Sequence, residues 1–298
     1  MIPGGISPNT KRLGQHSPRD IRARTAIVFL THFDDPQSDR AFARLACEGR
    51  WFGTVKRARH LRQGLQNLPS AGALRLTDSD LARALPARFE EMLRGGRAVN
   101  RGYCDMLMLA ATRRLAGFHR YWFLEYDVDF SGPWDAFFSE FEGCRADLLC
   151  TALHPRPLCE EWVHWSWFNG PADLRRQKMV RGFLPVVRIS RRLAEFYSVE
   201  AGRWAGHAEA VLPSAAFNAG FSVEDIGGDG PMVLPGRRGR TYSFSAARDP
   251  SIGTFRAGPP VAKTYFPMCG LRLPSNYLWH PVKTAAHKAA KGRLERLG

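Results

Sequence analysis

The sequence has few cysteines and no long apolar segment, and each shortage excludes a class of protein. Six cysteines occur in 298 residues, without a Cys-x-x-Cys pair. This disfavours a disulfide-stapled secreted domain and favours reduced thiols. No run of about eighteen apolar residues occurs, so no transmembrane helix is predicted. The first residues also lack the apolar centre of a secretory signal peptide, and we expect a soluble, cytoplasmic protein.

Two common nucleotide-binding motifs and the usual spacing of zinc ligands are also missing. Neither Gly-x-x-x-x-Gly-Lys-Ser/Thr nor Gly-x-Gly-x-x-Gly occurs. Their absence weighs against P-loop and dinucleotide-binding enzymes but leaves other nucleotide-dependent transferases open. Four residues could in principle form a zinc site, but they lack the short spacing typical of such sites. They are Cys144, Cys150, His154 and Cys159.

The charge is strongly positive but unevenly spread. Lysine and arginine number 43 against 28 aspartates and glutamates, a net charge of +15. From Asp105 to Glu142, however, seven acidic residues outnumber three basic ones. Such a region suits a bound cation better than a nucleic-acid backbone, which requires a basic stripe across the folded body. We therefore expect no nucleic-acid partner.

The two ends of the chain carry much of the positive charge. Residues 1–24 contain five basic residues and one acidic residue, and residues 271–298 contain six and one. We expect a basic flexible leader over 1–24 and a basic tail over 285–298 on either side of the folded part. Basic ends of this kind would favour peripheral contact with an anionic membrane surface.

The order of the apolar segments predicts a single α/β domain over 25–284. TAIVFLTHF at 25–33 is typical of a buried strand, and the residues at 34–49 that follow are typical of a helix. A strand followed at once by a helix predicts a mostly parallel, Rossmann-like central sheet flanked by helices. Glycine, proline and arginine without apolar periodicity predict a long mobile loop over 227–260.

Acidic residues stand at every second position after the predicted strand that ends at Leu124. They are Glu125, Asp127 and Asp129. In an extended backbone the three carboxylates would share one face and would repel one another unless a cation lay among them. The carboxyl edge of the sheet is where α/β proteins bind ligands, and oxygen ligands suit Mg²⁺ or Mn²⁺. The alternative that the spacing leaves open is a solvated, turn-forming strand end.

Three tryptophans lie close together between residues 160 and 170. If this segment is extended, alternation puts Trp165 and Trp167 on one face. Tryptophan rings stack on the C–H surfaces of sugars, so these two residues are candidates for binding a carbohydrate acceptor. Packing of both rings into the core is the alternative.

The order and spacing of these motifs resemble those of GT-A glycosyltransferases over roughly residues 25–284. The likeness rests on four segments: the opening strand TAIVFLTHF, the buried strand ending in Asp-x-Asp with Gly-x-Trp after it, GHAEAVLPS at 206–214, and WHPVK at 279–283. Bacterial and fungal transferases with an EYDV-type strand are similar. The resemblance implies a GT-A-like catalytic domain that uses a nucleotide-sugar donor.

The resemblance also implies roles for individual residues. Mn²⁺ or Mg²⁺ would be bound by Asp127, Asp129 and His280. The donor would be bound by His32, Asp34, Asp127 and Lys283. Because some branches of the family replace the metal with a basic side chain, Lys283 leaves a metal-free mode open.

Glu209 is the residue that the resemblance implies as catalytic base. It would accept the proton of the acceptor hydroxyl in an inverting transfer, with Glu224 or Asp225 in reserve. An ordinary first-turn helix acid, stabilised by the helix dipole, is the alternative reading of Glu209.

The sequence therefore predicts an inverting, metal-assisted glycosyltransferase that moves a sugar from a nucleotide-sugar donor to a hydroxyl acceptor. Two alternatives from other classes stay open. One is a nucleic-acid or polyanion binder without catalysis, which the acidic region disfavours. The other is a different nucleotide-dependent transferase, such as a nucleotidyl or phosphoryl transferase.

Overall fold

A seven-stranded mixed sheet forms the centre of the computed structural model, which describes residues 24–31, 36–45, 51–57, 73–244, 253–256 and 276–282. Its strands, in chain order, are β1 Thr25–Thr31, β2 Trp51–Arg57, β3 Ala73–Leu76, β4 Arg120–Glu125, β6 Leu148–Pro155, β7 Val180–Ser190 and β8 Val223–Asp225. Two short strands, β5 Asp129–Phe130 and β9 Leu278–Trp279, pair separately with each other. The predicted leader up to residue 23 and the tail over 285–298 lie outside the described residues.

The spatial order of the sheet is β3-β2-β1-β4-β7-β6-β8. Among the described strands, the adjacent strands β3, β2, β1 and β4 run parallel to one another, and β6 runs parallel to β8. β7 is antiparallel to both β4 and β6. The predicted α/β class with a mostly parallel, helix-flanked sheet is therefore confirmed.

Every residue of β1 is buried, because both faces of the sheet are covered. Ala26 and Val28 belong to one hydrophobic cluster and Ile27 and Phe29 to the other, as the alternation of side chains along a strand requires. This double coverage explains why the strand reads as an unbroken apolar run in the sequence.

Seven described helices cover the sheet. On one face lie α2 Asp78–Ala84, α3 Pro86–Arg94, α4 Cys104–Arg114, α6 Arg191–Glu200 and α7 Ala208–Asn218. On the other face lie α1 Pro36–Arg44 and α5 Trp134–Glu140. None of the described helices combines the length and the apolar character that are needed to cross a membrane.

Part of the segment predicted as a mobile loop over 227–260 is buried where the structure describes it, at 227–228, 241–242 and 254–256, whereas 234–236 and 238–240 are exposed. The buried carboxylate of Asp225 accepts hydrogen bonds from the backbone N–H of Gly227 at 2.9 Å and from the hydroxyl of Tyr242 at 2.7 Å. Tyr242 is only 1% exposed. Both ends of the described stretch 227–242 are therefore bonded to one buried polar group, the carboxylate of Asp225.

A buried ion-pair network joins the helices on one face of the sheet. Arg88 of α3 is fully buried and donates to the carboxylates of Asp105 at 3.0 Å and Glu91 at 2.5 Å. The hydroxyl of Tyr197 in α6 donates to Asp105 at 2.7 Å. Because this network lies away from water, its members depend on one another for their partners.

We expect Arg88→Met to destabilise the protein by about 3–5 kcal/mol, because it leaves the fully buried carboxylate of Asp105 and the partly buried carboxylate of Glu91 without their cation. Arg203→Met removes an ion pair from a side chain that is 60% exposed and should cost less than about 1 kcal/mol. Urea unfolding of the two variants measures the difference. Equal losses would show that the Arg88 network behaves as a surface ion pair.

Candidate functional site

The candidate site lies where the sheet order reverses. The chain proceeds from β1 outward to β2 and β3, and then returns to place β4 on the other side of β1. The carboxyl ends of β1 and β4 are adjacent, with Leu30 paired to Glu125. In open α/β sheets this is the position at which ligands bind.

Two carboxylates and one imidazole converge at this edge. Glu125, Asp127 and His280 each offer a ligand atom, and these atoms lie within 4.8 Å of one another. The Nε2 atom of His280 is 3.5 Å from Oδ1 of Asp127, and both side chains are buried. Among the described residues, this is the group that combines the number and proximity of side chains that a metal ion needs.

Local backbone turns bring the three side chains together. The chain turns directly after β4, where the N–H of Val128 donates to the carbonyl of Glu125 at 3.0 Å. The antiparallel pairing of β5 with β9 then carries His280 back to the end of β4. The N–H of Val282 donates to the carbonyl of Asp127 at 2.7 Å and fixes this register.

The hydrogen bond on the far side of His280 fits a metal ligand. Nδ1 lies 2.7 Å from the backbone carbonyl of Arg256, and because a carbonyl can only accept, Nδ1 carries the proton. Nε2 therefore points toward Asp127 with its lone pair when the ring is neutral. Metal-binding histidines usually donate their other N–H in this way, so the donor set fits a divalent cation.

Without a cation the same geometry favours the protonated ring. Burial by itself lowers the pKa of His280, but the negative charges of Asp127 and Glu125 outweigh it and raise that pKa above its ordinary value. The cluster is thus a place where positive charge is stabilised, whether a proton or a metal ion supplies it.

Asp129, predicted as a metal ligand, is bound elsewhere. Both of its oxygens accept from the guanidinium of Arg44 at 2.6 and 2.7 Å. The prediction assumed that the strand continued beyond Glu125, but the turn at Val128 breaks the alternation, so Glu125 takes the place in the cluster that was assigned to Asp129. Asp127 and His280, the other two predicted ligands, are brought together.

Glu209 lies in the first turn of α7, beside the cluster. Its Oε1 accepts from the N–H of Leu184 at 3.4 Å, and its Oε2 is 3.6 Å from Nδ1 of His207. Burial raises the pKa of Glu209 to about 8; the Leu184 N–H opposes this rise, and the charge of Glu125 adds to it. A carboxyl group with a pKa near neutrality is suited to accept and release a proton.

The two residues named in reserve as the base have structural partners. Glu224 forms an ion pair with Arg237 at 3.1 Å. Asp225 is fully buried, and its oxygens accept hydrogen bonds from Tyr242 and from the backbone N–H groups of Leu153 and Gly227. Both side chains are therefore held by other groups of the protein.

Trp165 and Trp167 do not share a face. Residues Val163–Trp167 form a short 3-10 helix, in which positions three apart align and positions two apart diverge. Trp165 is buried and donates its indole N–H to the carbonyl of Cys159 at 2.9 Å. Trp167 borders a cleft, so the two rings do not form the paired surface that an extended segment would give.

Three other predicted site residues, His32, Asp34 and Lys283, lie outside the described residues. The four candidate zinc ligands do not form a metal-binding group within the described part of the chain. The thiol of Cys159 donates to the backbone carbonyl of Pro155 at 3.4 Å, and burial raises its pKa. Sequence reasoning missed Arg256 and His207, which touch His280 and Glu209, because such contacts across the fold leave no local pattern.

Comparisons with known proteins give a distant structural neighbour. No family model matches the chain, and no curated protein matches it. The structure is similar to that of the inositol-1-phosphate CTP transferase from T. maritima, with 11% sequence identity and a TM-score of 0.36 over 70% of this chain and 86% of that chain. At this level of similarity the activity of the neighbour says nothing about the chemistry of this chain.

The raised pKa of Glu209 makes a prediction about stability. Between pH 4.5 and about 8 the folded state holds a proton on Glu209 that the unfolded state has lost, so the free energy of unfolding falls as the pH rises. Glu209→Gln removes this contribution. We expect it to be more stable than the wild type by a few kcal/mol near pH 8.5 and similar to it near pH 4.5.

Thermal unfolding at several pH values measures this difference. Glu195→Gln is the matched control, because the Glu195 side chain is 64% exposed. Stability curves for Glu209→Gln and the wild type that stay parallel from pH 4.5 to 8.5 would contradict the assigned pKa.

Proposed function

We propose that the protein is a nucleotide-sugar-dependent glycosyltransferase that uses a divalent metal ion and Glu209 as its catalytic base. The observation that carries the proposal is the convergence of Glu125, Asp127 and His280 within 4.8 Å at the switch point of the sheet. An acidic cluster at this edge suits a cation that binds a diphosphate. The motif order that resembles GT-A enzymes supports sugar transfer as the reaction.

Glu125, Asp127 and His280 would hold the cation, which when bound offsets the negative charge that develops on a nucleoside diphosphate leaving group. His280 is fixed for this task by its bond to the Arg256 carbonyl. The predicted donor contacts of His32, Asp34 and Lys283 remain part of the proposal. Together these residues would bind and orient the donor.

Glu209 would act on the acceptor side. The attacking hydroxyl must lose its proton as it approaches the anomeric carbon, and a carboxylate within hydrogen-bond reach can accept it. The position of Glu209 at the start of α7, influenced by the charges of both Glu125 and His280, supports this role. Because its pKa is about 8, we expect the transfer rate to rise between pH 6 and pH 8.

A different nucleotide-dependent transferase is the second candidate, since the same cluster could bind the phosphates of a nucleoside triphosphate. The two candidates differ in their products. A glycosyltransferase releases a nucleoside diphosphate from a nucleotide sugar, whereas a nucleotidyl transferase releases diphosphate from a triphosphate. Incubation with each class of donor and analysis of the released product separates them.

The first functional prediction concerns the metal. We expect wild-type protein to bind UDP or GDP more tightly with Mn²⁺ than without it, and Asp127→Asn to lose that dependence. Asp129→Asn is the matched control two residues away, because Asp129 is bound by Arg44 rather than by the cluster. Calorimetry with and without Mn²⁺ measures both. If wild type binds neither nucleotide under any metal condition, the proposed function loses its main support.

The second functional prediction concerns the base. Glu209→Gln keeps the shape of the side chain and removes its basicity, so the turnover number should fall by about a hundred- to ten-thousand-fold. The dissociation constant of the donor should stay within a few-fold, because the contribution of a base belongs to the transition state. Glu224→Gln provides the control. A Glu209→Gln variant that turns over at nearly the wild-type rate would remove Glu209 as the base.

A further inference from the structure

A cleft with a volume of about 670 Å³ opens beside the start of α7. Three segments form it: the turn between α3 and α4, the 3-10 helix at Val163–Trp167, and the corner that precedes α7. Its polar and aromatic lining consists of Arg97, Asn100, Arg101, His164, Trp167 and His207. The volume is within the range of small-molecule sites.

The cleft is positively charged. Arg97 and Arg101 are exposed at its edge, and its lining contains no carboxylate. The guanidinium of Arg97 lies over the ring of Trp167, 3.8 Å from its centroid, which restrains a side chain that would otherwise sample many rotamers. A restrained guanidinium presents a planar set of donors that matches phosphate and carboxylate groups.

Two histidines add neutral hydrogen-bonding groups. The rings of His164 and His207 stack with their centroids 4.2 Å apart. Burial, together with the charge of Arg97, lowers the pKa of both; the pKa of His207 falls to about 3. Nδ1 of His164 accepts the indole N–H of Trp167 at 3.3 Å and Nδ1 of His207 accepts the N–H of Glu209 at 3.3 Å. In the neutral state each ring therefore keeps its Nε2 N–H as a donor, which suits the oxygen of a hydroxyl or of an anionic group.

The cleft is connected to Glu209 through His207. This ring lines the cleft and also caps α7, accepting the N–H of Glu209 on Nδ1 at 3.3 Å. Gly102, at φ +97°, makes room for the ring, because a Cβ there would lie 2.6 Å from Cδ2 of His207. A ligand in the cleft would therefore be separated from the Glu209 carboxylate by the His207 ring, whose Nδ1 is 3.6 Å from Oε2 of Glu209.

We propose that this cleft is the acceptor site and that the acceptor is an anionic hydroxyl compound, a sugar or polyol whose phosphate or carboxylate group is bound by Arg97 and Arg101. The role of acceptor rests on the proposed function, whereas the preference for an anion rests on the cleft alone. Trp167, His164 and Asn100 would contact the uncharged part of the ligand.

Binding of matched probes tests the preference without nucleotide or metal. Glucose 6-phosphate, glucuronate and glucose differ in the charged group and share a hydroxylated ring. We expect at least one charged probe to bind wild type about tenfold or more tightly than glucose, with an affinity that weakens as salt is added. The probe that binds more tightly identifies phosphate or carboxylate as the preferred group.

Two variants and a control assign the preference to the cleft. Arg101→Gln and Arg97→Gln should each weaken the charged probe about tenfold and leave glucose unchanged. Arg191→Gln removes an exposed arginine that pairs with Glu195 and should change neither. Melting temperatures establish whether each variant is folded. If Arg97→Gln is unstable because it loses the contact with Trp167, Arg101→Gln still tests the proposal.

The proposal is overturned if glucose binds wild type as tightly as the charged probes, or if neither cleft variant weakens the charged probe. Binding of UDP with Mn²⁺ is measured on the same variants and should be retained. This second measurement distinguishes a failure of the acceptor-site proposal from a failure of the proposed function. Anion preference without any nucleotide binding would leave the cleft as an anion site and contradict the glycosyltransferase proposal instead.

Discussion

The buried guanidinium of Arg88 is the constraint on which the position of Glu209 and the shape of the cleft depend. It is bonded to Asp105 and Glu91, and Glu91 in turn accepts the N–H of Gly206 at 2.9 Å. The corner that begins α7 is thereby fixed to α3 and α4, with the N–H of Ala208 bonded to the carbonyl of Gly102 at 2.8 Å. Charges buried so deeply are stable only when all of their partners are present, so the network holds this corner in one arrangement.

The acidic groups at the carboxyl edge of the sheet are stabilised in a different way. Glu125, Asp127 and Glu209 place acidic groups in a partly buried region, where like charges raise the free energy of the ionised state. The protein limits this negative charge in two ways. His280 supplies a group that carries positive charge beside Asp127, and Glu209, whose pKa is raised to about 8 mainly by burial and further by the charge of Glu125, keeps its proton. Because negative charge is unfavourable in this site when no cation is bound, a bound cation would stabilise the ionised carboxylates.

The sequence predicted the fold better than it predicted the details of the site. The buried run of β1, the helix after it and the apolar strand before Glu125 contain their own periodicity, and the α/β class follows from them. The pairing of Asp127 with His280 was anticipated from the order of motifs. The surroundings of Asp129 and Trp165 were predicted wrongly, because both predictions assumed an extended backbone. The structure has a turn before Asp129 and a 3-10 helix at Trp165.

Residue types and local periodicity are properties of the sequence by itself, and they determined which strands are buried, where acidic residues gather and how strongly basic the chain is. Contacts between distant segments were decided only by the tertiary structure. The strand pairing that carries His280 to Asp127, the binding of Asp129 by Arg44, and the meeting of His207 with Arg97 and Trp167 in one cleft all join segments far apart in the chain. Such contacts depend on register and turn geometry, in which a shift of one residue reverses the face that a side chain occupies.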